Sequence, residues 1–157
     1  METLLKDIKE YVFSLLQEKL PYTVIYHNLN HTLRVVSKIE ELISGESITG
    51  QNAYLLRIAA WFHDVGYIEG PANHEIRSAK VAENFLKGKI NDEDLERVKE
   101  LILATRMDAK PESHLEKVMK DADCSHLASN SAEEISELLL QELKLSGIAS
   151  FSELEWK

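Results

Sequence analysis

From Ala53 to Phe62 the chain reads Ala-Tyr-Leu-Leu-Arg-Ile-Ala-Ala-Trp-Phe, apolar on nearly every side of a helix. A helix without a polar face cannot sit at a surface and must be wrapped by other elements. The segment starting at about Gln51 is therefore expected as the central buried helix, and the rest of the chain as its wrapping. The flanking segments have the right pattern. Leu4, Leu5, Ile8, Val12, Leu15 and Leu16 recur at three- and four-residue steps, and Pro21 closes that helix. A second helix is expected to begin near His27, carry Leu33, Val35, Val36, Ile39, Leu42 and Ile43, and stop at Gly45. After the loop of Gly66 and Gly70-Pro71, Asn73 is a cap for a helix to about Leu86, ended by Gly88. Asn91 is a cap for the next, through Leu95, Val98, Leu101, Ile102 and Leu103. Beyond Pro111 a helix runs through Leu115, Val118 and Met119 into Asp121-Ala122-Asp123. Ser131 with Glu134 reads as a capping box for a last helix carrying Ile135, Leu138, Leu139 and Leu143. No alternating strand pattern competes. The fold expected is all-α, one domain over residues 1–157, a bundle of about seven helices.

Composition narrows what such a bundle can do. With 44% hydrophobic residues the chain is globular rather than disordered. Its 18 basic and 27 acidic residues give a formal charge of −9, which disfavours a nucleic-acid backbone as main partner. An anionic substrate must be handled locally, by a metal or by a few Arg and His side chains. The one cysteine, Cys124, forms no intramolecular disulfide and rules out a thiolate-rich zinc site. It reads as a small buried residue. The N-terminal residues mix charge into their apolar positions, unlike a signal peptide, and no run approaches the ~18 apolar residues of a membrane span. A cytoplasmic protein without a membrane partner is the expectation, with the oligomeric state open and a homodimer among the options.

The buried segment ends in His63-Asp64, and polar side chains emerging from apolar packing must find partners. His27 and His31, four residues apart, would share one face of a helix, separated by roughly 6 Å of rise. Downstream lies Asp121-Ala122-Asp123. Singly, each has an ordinary reading: a buried His–Asp hydrogen bond, two surface or core histidines, a helix end with solvated acids. Together, imidazoles and carboxylates are what a hydrolytic divalent-metal site needs.

His31, then His63-Asp64, then a distant aspartate in an Asp-Ala-Asp segment resembles the HD-domain superfamily of metal-dependent phosphohydrolases, over about Tyr26 to Leu127. Tyr-His-Asn-Leu-Asn-His-Thr at 26–32 resembles small bacterial hydrolases of that superfamily. It is also similar to the Tyr-His-Asn-x-x-His segment of cyclic-nucleotide phosphodiesterases, a related helical fold. The resemblance implies that His31, His63, Asp64 and Asp123 are metal ligands, with Asp121 behind them or solvated. It assigns catalysis to Asp64 and to His27, which matches the histidine that protonates the leaving alkoxide. A mixed nitrogen and oxygen set accepts Mn, Mg, Fe, Co, Ni or Zn, and one tightly bound ion is favoured over two. His74, in a His-Glu-Ile-Arg-Ser-Ala segment similar to a helix start of binuclear members, is expected to bind phosphate, as are Arg34 and Arg106. Binuclear members carry further histidines near the position of Thr105-Arg106, and this chain has none there. Tyr67 stands where a lysine often follows the His-Asp pair, so metal-activated water is left to serve without that help.

The activity implied is hydrolysis of a small-molecule phosphomonoester or phosphodiester, a nucleotide above all, by metal-activated water with His27 as general acid. Two other readings stay open at this stage: a metal- and nucleotide-binding sensor without catalysis, and a di-iron oxygenase. His114 and His126 read as ordinary, with His126 near enough to Asp123 to support it.

Overall fold

The computed structural model describes residues 1–147. They form seven α-helices: α1 (Glu2–Lys19), α2 (Leu29–Gly45), α3 (Gly50–Phe62), α4 (His74–Leu86), α5 (Asp92–Leu103), α6 (His114–Asp123) and α7 (Ala132–Leu145). Short 3-10 turns, Val65–Glu69 and Ser125–Ala128, follow α3 and α6. The all-α expectation is met, and among the described residues no helix is long and apolar enough to cross a membrane.

α3 is the core. Leu55, Leu56, Ile58, Ala59, Ala60 and Phe62 are fully enclosed, and α1, α2, α4, α5 and α6 all touch this helix. Arg57, the one charge in the run, reaches the edge and pairs bidentately with Glu40 on α2 at 2.7 and 2.9 Å. α1 lays Ile8, Val12 and Leu16 on the core. It ends at Leu20, whose ψ of 125° is the extended value that a following proline imposes.

α2 begins two residues later than the sequence suggests. Asn28 is its cap, and the Asn28 Oδ1 accepts the backbone N–H groups of Asn30 at 3.0 Å and His31 at 3.3 Å. Satisfying those donors requires extended backbone at Asn28, so the helix cannot run back through His27. His27 therefore lies in the loop before α2, and the expectation that it shares a helix face with His31 is corrected.

Of the other expected caps, Asn91 behaves as anticipated, its side chain accepting the Asp94 N–H at 2.8 Å. Asn73 precedes α4 but sits at φ 56° and caps nothing with its side chain. The capping box at Ser131 and Glu134 does not form. Ser131 has φ −101° and ψ 16°, because the chain enters α7 from a tight turn closed by Ala132 N–H to Ser129 C=O, and extended cap geometry is lost.

One glycine sets the approach of α4 to the end of α3. A Cβ on Gly66 would lie 2.0 Å from the His74 carbonyl oxygen and 2.9 Å from the Ser78 nitrogen. The bare Cα lets the first turn of α4 press on the 3-10 turn. The Ser78 hydroxyl accepts the Gly66 N–H at 2.9 Å, and Arg77 Nε donates to the Gly66 carbonyl at 3.0 Å. The contact places His74 beside Asp64, just past the end of the buried helix.

Candidate metal centre

His63 and Asp64 leave the C-terminal end of α3 with 0% and 3% of their surface exposed. Burial on that scale demands partners, and α2 and α6 bring them. His31 comes from the first turn of α2 and Asp123 from the last residue of α6. One donor atom from each of His31, His63, Asp64 and Asp123 lies within 4.8 Å of all the others.

The tautomers follow from what each ring touches. A carbonyl oxygen can only accept, so His63 Nδ1, 2.8 Å from the Ala60 carbonyl, carries a proton and donates it. In the neutral ring this leaves a lone pair on Nε2, facing the cluster. That nitrogen lies 3.3 Å from His31 Nε2. Asp64 Oδ2 is 3.1 Å from His31 Nε2 and 3.2 Å from His63 Nε2, yet it is buried without one well-directed hydrogen bond. His31 Nε2 and Asp123 Oδ1 do pair, at 3.0 Å, but Asp64 Oδ2, close to both rings without a directed bond, has its lone pairs left for a further partner at the same point. Two imidazole nitrogens and two carboxylate oxygens so placed fit a divalent cation.

Electrostatics agree. Burial pushes the Asp64 carboxyl up, but the His63, His31 and His74 rings outweigh it and hold the group well below the usual carboxylate range. Asp123 is depressed in the same way: burial opposes, and the His31 and His63 rings prevail. Burial pushes the His63 and His31 imidazoles down, and the Asp64 and Asp123 carboxylates beside them reverse this, raising both above the ordinary value. Two carboxylates in this enclosure call for positive charge, which protons on the rings or a cation can supply.

His74 joins the edge of the cluster. Its Nδ1–H donates to the Pro71 carbonyl at 3.0 Å, and its Nε2 lies 3.3 Å from Asp64 Oδ1 and 3.4 Å from Glu75 Oε1. His27 is adjacent. Its ring stacks on Tyr67 with centroids 4.2 Å apart and planes 10° from parallel, while Tyr67 touches the His74 ring at 4.1 Å and His27 approaches His31 at 5.4 Å. Burial pushes the Tyr67 phenol up, and Asp64 and other nearby carboxylates push it further, so it keeps its proton and has an O–H to donate. Tyr26 packs against both the His27 and the His31 rings, and its hydroxyl pairs with His126 Nδ1 at 3.1 Å.

The two expected arginines differ. Arg34 borders a cavity of about 80 Å³ shared with His31 and Asp123, and an open cleft of about 660 Å³ shared with Ser37, Lys38, Ser125 and Ser129. Arg106 pairs with Asp108 at 3.1 Å, and among the described residues it forms no hydrogen bond or ion pair with the four clustered side chains. Asp121 is exposed, in keeping with a solvated role. Cys124 is exposed too, which corrects the buried assignment: it caps the end of α6, where the chain turns at the surface. His114 is a surface group paired with Glu46 at 2.6 Å.

One residue of the site escaped the sequence reading. Glu142 of α7 is buried and bonded to His27 Nδ1, and its other oxygen accepts the backbone N–H of Tyr26 at 2.6 Å and of His27 at 2.9 Å. The available signal was an acid in an apolar stripe, seven residues after Ile135 and three after Leu139.

A family model described as HD domain matches residues 28–128, a stretch that contains His31, His63, Asp64 and Asp123. Neither the curated proteins nor the solved structures yield a match to the chain.

Proposed function

Because the chain belongs to the HD-domain family of metal-dependent phosphohydrolases, we propose that it hydrolyses a phosphomonoester or phosphodiester of a small molecule, a nucleotide being the favoured class. The observation that supports this most is the convergence of His31, His63, Asp64 and Asp123 donor atoms within 4.8 Å of one another. In this reading those four residues hold one divalent cation, drawn from Mn, Mg, Fe, Co, Ni or Zn. Such an ion supplies an acidified water near neutral pH and offsets charge gathering on the phosphoryl group.

The chain's own residues do the rest. The Ala60 carbonyl, 2.8 Å from His63 Nδ1, keeps the His63 ring turned so that Nε2 faces the cluster. His27 is the general acid and gives its proton to the departing oxygen, the leaving group that otherwise departs as a poor alkoxide. His74, 3.3 Å from Asp64, binds a phosphoryl oxygen, and Arg34 at the rim binds a more distant anionic part of the substrate. Tyr67 is a donor and a stacking surface, not a base, since the phenol is held protonated. Arg106 drops to the weakest of the substrate-binding assignments, because Asp108 already neutralises it.

The test is a screen of phosphomonoesters and phosphodiesters, nucleotides included, with each metal in turn. Turnover by the wild type that falls on His27→Ala while metal stays bound is the expected result. A wild type that binds metal and nucleotide yet hydrolyses none of them contradicts the proposal and favours a sensor.

A further inference from the structure

His27 and Glu142 both fall outside residues 28–128, the stretch the family model matches, yet they form a built pair. Glu142 is 4% exposed, and a carboxylate so enclosed is costly unless its lone pairs are taken up. They are. One oxygen meets His27 Nδ1, and the other receives the backbone N–H groups of Tyr26 and His27 at 2.6 and 2.9 Å. Burial pushes the carboxyl up, but the His27 ring and these backbone donors outweigh it and hold Glu142 below its ordinary value. The loop it grips, between α1 and α2, contains no helix or strand of its own. Glu142 is thus the tie that fixes where the loop's histidine points.

We propose that Glu142 is the positioning residue for the acid: it binds the Nδ1–H of His27, fixing ring rotation and tautomer so that Nε2 is the nitrogen that delivers the proton. The inference rests on His27 being the leaving-group acid. As the phosphorus–oxygen bond breaks, its electron pair leaves with the ester oxygen, which takes the Nε2 proton of the imidazolium. The incoming water gives up a proton to solvent, and its oxygen replaces the ester oxygen on phosphorus. The neutral ring keeps its Nδ1–H on Glu142, and solvent returns a proton to Nε2. The stack on Tyr67 at 4.2 Å limits the ring's remaining freedom, while the His27 side chain stays 17% exposed and so reachable by substrate. On this view α7 is part of the reactive site, although the metal cluster lies wholly within residues 28–128.

The experiment compares p-nitrophenyl phosphate, whose leaving group needs no proton, with benzyl phosphate, whose alkoxide does. The full chain is used, loaded with Mn²⁺. His27→Ala and Glu142→Gln are each expected to lower kcat for benzyl phosphate by about 100-fold, with little change for p-nitrophenyl phosphate and with KM and bound Mn²⁺ retained. If His27→Ala shows that selectivity and Glu142→Gln leaves both substrates unchanged, the positioning role is overturned and His27 stands as the acid. If Glu142→Gln depresses both substrates equally, the role is structural and the inference fails. If His27→Ala lacks the selectivity, the reading of His27 as acid fails and takes this inference with it. Nitrogen-15 NMR of the wild type tests the same point without a variant: His27 Nδ1 must carry a proton at pH 8, and an unprotonated Nδ1 overturns the proposal.

Discussion

Gly66→Ala isolates the contact that sets α4 against the metal cluster. The new Cβ would stand 2.0 Å from the His74 carbonyl oxygen, 2.8 Å from its carbon and 2.9 Å from the Ser78 nitrogen, all backbone atoms that cannot rotate away. To reach an ordinary 3.4 Å contact, the first turn of α4 must retreat by more than 1 Å. Overpacking of this kind costs about 1–3 kcal/mol. The retreat also stretches the bonds from Gly66 N–H to the Ser78 hydroxyl and from Arg77 to the Gly66 carbonyl, now 2.9 and 3.0 Å, at about 1 kcal/mol for one lost. A loss of roughly 2–4 kcal/mol corresponds to a drop in Tm of about 5–12 °C for a chain of this size. Thermal denaturation followed by circular dichroism measures it. His74 moves with the turn, so KM for the phosphate ester is expected to rise while bound metal is retained. A variant whose Tm stays within about 1 °C of wild type refutes the reasoning, because that close approach would then carry no constraint.

Acidity and charge give further tests. In the metal-free protein the His31 and His63 imidazoles sit above their ordinary value, so their contribution to stability is complete below about pH 6.5 and fades as pH rises through the raised values. Asp64 and Asp123 sit below theirs, so their contribution is present above about pH 4 and is lost only on strong acidification. The metal-free protein is therefore expected to melt lower at pH 9 than at pH 6.5. Saturating Mn²⁺ removes that decline, because the cation replaces the protons on the rings, and calorimetry with and without the ion checks both halves. Arg34→Ala is expected to raise KM several-fold with Tm unchanged, whereas Arg106→Ala, which loses only a surface pair with Asp108, leaves KM alone and shifts stability by less than about 0.5 kcal/mol. Steady-state kinetics on the two variants decides between them.

The core of the fold could be read from sequence because one segment had no polar face. Ala53 to Phe62 had to be central, and the His63-Asp64 pair at its end had to be buried with partners. The error at His27 is equally physical. Two histidines four residues apart look alike whether one helix carries both or an Asn cap stands between them. Only the Asn28 side chain, turned onto the N–H groups of Asn30 and His31, separates the cases. Glu142 was hidden for another reason. Its partners lie more than a hundred positions upstream, and an acid in an apolar stripe shows no partner until α7 is docked. The tight fit of Gly66 against α4 was likewise invisible, since a glycine in a turn has the same signature whether it needs φ freedom or simply lacks room for a Cβ.

The central claim is that His31, His63, Asp64 and Asp123 together hold one divalent cation. Elemental analysis of wild type, His31→Ala and Asp64→Ala, each loaded with Mn²⁺ and desalted, tests it most directly, with circular dichroism confirming that the variants fold. The expected result is one ion per wild-type chain and background metal in both variants. Stoichiometric metal retained by either variant contradicts the assignment.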